Sequence, residues 1–208
     1  MSEFKYGVSS VENLVQSPVS AGKHENVKIT EILMEEVGDN KIPTLTFKLS
    51  FSDGKTLTHR EFPINQESIA KNISKFRGAT VQEIVERESI KLAASIIHIM
   101  SAFVPQEKLI FEADSWKDYA SKMVEIAGTA YESNLFRCKV VYTKKGYLSF
   151  PKTTVSPWFQ NMEEPDTITI NPKYDKVVPP APTAEAQLEA SNDDLSASPL
   201  AADEDLAF

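Results

Sequence analysis

Cysteine is all but missing from this chain. Of its 208 residues only Cys138 carries a thiol. No disulfide can close within it, and such sparing use points to a reducing compartment. Histidine is scarce too: His24, His59 and His98 stand far apart, and none lies three or four residues from Cys138, so no zinc-site spacing exists. The seven glycines are all isolated. That excludes a phosphate loop of the G-x-x-x-x-G-K type, a G-x-G-x-x-G turn and a G-x-S-x-G elbow. The N-terminal residues lack a basic stretch followed by an apolar one, as a secretory leader would need. The most apolar run, 92–104, is interrupted by Ser95, His98 and Ser101, and is too short and polar to span a bilayer. Acid pairs such as Glu35-Glu36 and Glu163-Glu164 read as solvated carboxylates rather than acid–base machinery. The expectation is a soluble, cytoplasmic, non-enzymatic protein with no catalytic residue, metal, cofactor or membrane contact.

Charge is what the chain has, unevenly placed. Residues 185–208 hold seven acids and no Lys or Arg. With 30 acids and 22 bases in all, residues 1–184 keep 23 acids against 22 bases, so the body is nearly neutral at -1 and -7 of the net -8 sits at the C-terminal end. A neutral body joined to an acidic arm remains compatible with polyanion binding.

Residues 1–23 lack a period and read as a loose arm. From His24 the pattern changes. In 26–36, Val27, Ile29 and Leu33 alternate with Lys28, Thr30 and Ile32, a first strand. In 44–51, Leu45, Phe47, Leu49 and Phe51 share one face, while Thr44, Thr46, Lys48 and Ser50 share the other. Asp53-Gly54 supplies a hairpin turn into a third strand over 55–64. A two-residue turn pairs Phe51 with Thr56. A three-residue turn pairs Phe51 with Leu57 and leaves Arg60 beside Lys48. The second is preferred because it buries Leu57 with the phenylalanines.

The middle is helical. Thr80-Val81-Gln82-Glu83 has capping-box spacing, and Val81, Ile84, Val85, Leu92, Ile96, Ile99 and Phe103 recur helically up to Pro105. A further helix follows a Ser115 cap, with Trp116, Tyr119, Met123, Ile126 and Ala127 on its buried stripe. Strands resume over 135–142 and 147–150, joined at Lys144-Lys145-Gly146, and a last short one is expected at Ile168-Thr169-Ile170. Pro172, Pro179, Pro180 and Pro182 mark a stiff linker over 172–184. The Ala/Ser/Asp/Glu-rich 185–208 cannot bury enough apolar surface to offset an ordering entropy of roughly 1–2 kcal/mol per residue, and is expected to be disordered.

The fold expected over 24–171 is α+β and mainly β. Three strands, a helical insert over about 66–131 and two more strands match a five-stranded oligonucleotide-binding barrel with its helix between strands three and four enlarged. A small α+β sheet with helices on one face gives a similar pattern.

One segment has the composition of a polyanion surface. The nineteen residues 134–152 contain Arg137, Lys139, Lys144, Lys145 and Lys152 and no acid, interleaved with Phe136, Tyr142, Tyr147 and Phe150. Rings set among cations hold unpaired bases at about 1–3 kcal/mol per stacked base, and the cations release counterions from the phosphates. Phe136, Cys138, Val140 and Tyr142 share the core face of their strand, leaving Arg137 and Lys139 outside, either on phosphates or simply solvated. Lys48 and Arg60 join the candidate set from the neighbouring strands. Trp158-Phe159 is either a stacking pair or a hydrophobic anchor closing the barrel.

The C-terminus reads Asp203-Glu204-Asp205-Leu206-Ala207-Phe208. Leu206, Phe208 and the carboxylate suit a hydrophobic pocket ringed by Lys or Arg, with the acids steering the encounter. This tip resembles that of bacterial and phage single-stranded DNA-binding proteins, with Ala207 where the bacterial proteins commonly have Pro. Gly22-Lys23-His24-Glu25-Asn26-Val27, the hairpin at Ser52-Asp53-Gly54 and the run from Cys138 to Tyr147 followed by Pro151 are similar, over about 22–160, to the single-stranded DNA-binding proteins of tailed bacteriophages. The resemblance implies a barrel that coats single-stranded DNA during phage replication, recombination or repair. It also implies an acidic tip that recruits partner proteins and can occupy the basic groove when DNA is absent, all in the host cytoplasm. The insert from Ser68 to Tyr131 departs from a minimal barrel. A non-enzymatic adaptor or virion component is the competing expectation. Oligomeric state is left open.

Overall fold

A computed structural model describes residues 19–143, 146–151 and 156–179. Its strands are β1 (Gly22–Val37), β2 (Ile42–Ser50), β3 (Thr56–Glu61), β4 (Phe136–Tyr142), β5 (Leu148–Ser149) and β6 (Phe159–Asn161). Between β3 and β4 come α1 (Gln66–Lys71), α2 (Val81–Met100) and α3 (Trp116–Ala127), with short 3-10 turns at Ile73–Phe76 and Gln106–Lys108. All pairings are antiparallel, and the strand order is β3-β2-β1-β4-β5, with β6 also on β4. The path curls into a nearly closed five-stranded barrel. Across the seam between its end strands, the His59 ring of β3 packs 4.8 Å from Phe150, just past β5.

β1 makes this curvature possible. Its first residues pair with β4 and the rest with β2, so one strand serves both sides of the barrel. Two bulges bend it, as bulges do. One lies between His24 and Val27, where Asn26 adopts φ 56°, and one between Ile29 and Glu31. The second overturns the simple alternation expected for this strand. The extra residue shifts the parity, so Ile32 is buried and Met34 packs on the core, while Leu33 stands opposite Thr46 on the outer face.

The β2–β3 hairpin follows the turn chemistry. The Gly54 amide donates to Phe51 O at 3.0 Å, Gly54 takes φ 81°, and the Phe51 amide donates to Lys55 O at 2.9 Å. This is a three-residue loop with glycine in the left-handed position. Leu57 lies opposite Leu49 on the core face, as expected, but Phe51 pairs with Lys55 rather than Leu57. Arg60 therefore stands across from Thr46 and diagonal to Lys48. Leu45, Phe47 and Leu49 are fully buried, each worth about 1.5–3 kcal/mol by removal from water.

The helices start where their caps predict. The Thr80 hydroxyl accepts from the Glu83 amide and the Glu83 carboxylate accepts from the Thr80 amide, and Ser115 accepts from the Asp118 amide. α3 packs against β1 and β2, fixed by a 2.7 Å bond from the Trp116 indole to Pro43 O. α2 buries Ile84, Ile96, Ile99 and Met100.

The C-terminal part differs from expectation. The sixth strand lies at Phe159–Asn161, paired with Phe136–Cys138 of β4, and not at 168–170, where Thr169 O instead accepts from the Lys139 ammonium. Ile168 is buried in an irregular segment. The fold also begins earlier and ends later than the composition suggested: Val19 is buried, β1 opens at Gly22, and Asp175 is buried well inside the proline-marked stretch. The acidic segment 185–208 lies outside the described residues.

Candidate nucleic-acid interface

Alternation along β4 puts Phe136, Cys138 and Val140 in the core, where all three are fully buried. Burial pushes the Cys138 thiol well above its ordinary value, so it is an inert core residue. The same alternation puts Arg137 and Lys139 on the outer face. That face is not solvated, since residues 156–176 fold back across it as a strap. Lys139 is 0% exposed; its ammonium lies 2.8 Å from Asp175 and 3.1 Å from Thr169 O. Arg137 is 6% exposed and donates to Glu164 O at 2.8 Å and Met162 O at 3.1 Å. Lys23, beside Lys139 in register, binds Asp166, and this bond holds the Asp166 carboxyl below its usual range. Arg137 and Lys139 therefore drop out of any phosphate track. They hold the strap, because a buried cation needs a nearby acceptor far more than a surface one does.

Trp158 and Phe159 also leave the interface. Both are 2% exposed and sit in a ring cluster, with Phe150 5.0 Å from Trp158 and Phe136 5.1 Å from Phe159. They are the hydrophobic anchor that closes the barrel. His98 of α2 supports them: its Nε2 accepts from the amides of Trp158 (3.2 Å) and Phe159 (3.3 Å). Two donors on Nε2 place the ring proton on Nδ1, in the neutral form. Burial holds the His98 pKa below its ordinary value. The folded state thus favours the neutral ring, and its contribution is complete above about pH 6.5 and fades as pH falls through the lower folded value. The thermal midpoint is expected to drop on acidification from pH 7 to 5. His98→Phe, which keeps a ring beside Trp158, should cost about 1–3 kcal/mol and flatten that part of the response. A His98→Phe protein with an unchanged acid-dependent midpoint would refute this role.

Arg60 is exposed and Lys48 half-buried on the outer face of β2 and β3, and each is compensated. Lys48 meets Glu31 at 2.6 Å and Arg60 meets Glu35 at 3.0 Å. The Glu31 bond raises the Lys48 pKa. The Thr46 hydroxyl, and after it Arg60, hold the Glu35 carboxyl below its usual range. Lys28, opposite Ser50 on this face, is exposed and meets no carboxylate among the described residues, and no described ring on the face is exposed.

What survives is the end of β4. Tyr147 is 70% exposed and Tyr174 67%. Lys173 and Lys176 are exposed, with the Lys173 ammonium 5.1 Å from the Tyr174 ring centroid. Sequence reasoning missed these residues of the strap because the prolines read as a linker; the pattern Lys173-Tyr174-Asp175-Lys176 was the available signal. Two consecutive amides bring the segments to β4: Tyr142 donates to Lys176 O at 2.7 Å, and Thr143 to Tyr147 O at 2.8 Å. Successive strand amides point to opposite edges, so the two segments flank β4 about 10 Å apart, two strand spacings. The one acid of the strap here, Asp175, is neutralised internally by Lys139. Lys144, Lys145, Lys152 and the tip Asp203, Glu204, Asp205, Leu206 and Phe208 lie outside the described residues.

Among the described residues no cluster of His, Cys, Asp or Glu is placed to hold a metal ion, and no helix is long and apolar enough to cross a membrane. Comparison of the chain with protein-family models, curated proteins and solved structures finds no match to any of them.

Proposed function

We propose that this chain is a single-stranded DNA-binding protein whose fold is an oligonucleotide-binding barrel. The observation that carries the reading is the pair of exposed tyrosines, Tyr147 and Tyr174, set around the end of β4 with Lys173 and Lys176, which meet no carboxylate among the described residues. Open ring faces beside cations suit unstacked bases and phosphates, and a duplex hides its base faces. The strand order with helices between β3 and β4 agrees with such a barrel, and its β4–β5 loop is one of the two this class uses for oligonucleotides. Here that loop is 143–147, contributing Lys144 and Lys145 in sequence. In this reading the protein coats strands displaced during phage DNA replication, recombination or repair. The acidic end, with Leu206 and Phe208, recruits replication or recombination proteins and competes for the basic surface.

The test is a salt-dependent titration by anisotropy of labelled single- and double-stranded oligonucleotides. Full-length protein is expected to bind the single strand, weakening with salt, and to bind more tightly once residues 185–208 are removed. No binding to single strands at low salt would end the proposal. Intrinsic tryptophan quenching is a poor readout, since Trp158 is buried and Trp116 is half-buried with its indole bonded to Pro43 O.

A further inference from the structure

Outside the β4 surface, cations in this protein are mostly compensated or scattered. Lys48, Lys55, Arg60, Arg87, Lys91 and Lys122 each sit against a carboxylate. One stretch of the helical insert concentrates positive charge. Residues 68–82 contain Lys71, Lys75 and Arg77 and no acid, between Glu67 and Glu83. All three cations are exposed, and Lys71 and Arg77 meet no carboxylate among the described residues.

The backbone gathers them into one tight turn. α1 ends at Lys71, where the Asn72 amide closes onto Ser68 O and Ile69 O and its side chain onto Ser68 O. The Lys75 amide then bonds Asn72 O, and the Ala79 amide bonds Phe76 O. Between these bonds Arg77 adopts φ 35°, ψ 56°, a left-handed conformation that non-glycine residues seldom take, and Gly78 continues it at φ 85°. The position in the fold is suggestive as well. The insert leaves the barrel from the end of β3, the strand whose His59 ring packs on Phe150, whereas Tyr147 immediately precedes β5. The chain thus approaches this turn from the β3 side of the open seam, and the tyrosine surface begins on the β5 side.

We infer that Lys71 and Arg77 form a second contact for the phosphodiester backbone of the bound single strand, one supplied by the insert rather than by the barrel. The inference rests on the single-strand reading above. A cation contributes here through counterion release, so its signature is the slope of log affinity against log salt, about 0.7 per phosphate contact for a single strand. The Lys71→Ala/Arg77→Ala protein is expected to bind a long oligo-dT with a slope shallower by about 1.4, with its melting curve unchanged because both side chains are exposed. The control is Lys108→Ala/Lys117→Ala, which removes the same charge from two exposed, scattered positions and should keep the full slope. If the two double variants behave alike, whether both unchanged or both reduced, the Lys71–Arg77 turn makes no specific phosphate contact and this inference fails while the single-strand reading stands. If the unaltered protein binds no single strand, the reading itself is lost, and this inference with it.

Discussion

Replacing both Tyr147 and Tyr174 by alanine is expected to weaken binding to oligo-dT on the order of a thousandfold, at about 2 kcal/mol for each stacked base lost. Both rings are mostly exposed, so the variant should melt at the same temperature as the parent. The comparison that gives the result meaning is Lys48→Ala/Arg60→Ala. Those cations are held by Glu31 and Glu35, and exposed pairs are worth about 0–1 kcal/mol, so affinity should move little. Equal losses in the two variants, or no loss from the tyrosine pair, would place the strand elsewhere on the molecule.

The second large effect concerns stability. Lys139→Met leaves the Asp175 carboxylate buried without its cation, while its oxygen still accepts from the Asn171 amide at 2.7 Å. Breaking a buried pair by removing one partner costs about 3–5 kcal/mol, a large share of the roughly 5–15 kcal/mol that holds a domain folded. The denaturation midpoint should fall accordingly. Lys139→Met combined with Asp175→Leu should recover much of the loss, because apolar replacement of both ions removes the desolvation cost as well. Equal destabilisation in the single and double variants would mean that the strap is held by its other contacts: Lys23 on Asp166, and Arg137 on the carbonyls of residues 162 and 164.

These two results bear on the same piece of chain. Residues 171–176 present Lys173, Tyr174 and Lys176 outward only because Asp175 is drawn inward to Lys139. At the end of β4 the segment 171–176 buries its acid, Asp175, and displays Lys173 and Lys176. A basic run that looks like a binding strand is thereby divided. Arg137 and Lys139 organise the surface from beneath, and residues contributed by a different segment form it.

Sequence alone determined the features whose physics is local. The left-handed glycine of the Ser52-Asp53-Gly54 turn, the Thr80–Glu83 capping box, the Ser115 cap and the core faces of β2 and β4 each depend on residues within a few positions of one another. Periodicity and turn chemistry express them fully. The structure decided whatever depended on distant chain. The outer face of β4 is covered by residues about 20 to 40 positions later in the sequence, and no pattern within β4 distinguishes a solvated lysine from a buried one. The bulge that reverses Ile32 and Leu33, the choice of 159–161 over 168–170 as the last strand, and the order lent to a proline-marked segment by Asp175 all arise the same way. Each is settled by which distant partner reaches a strand edge or face, a competition between long-range contacts that leaves no mark in the local alternation of residues.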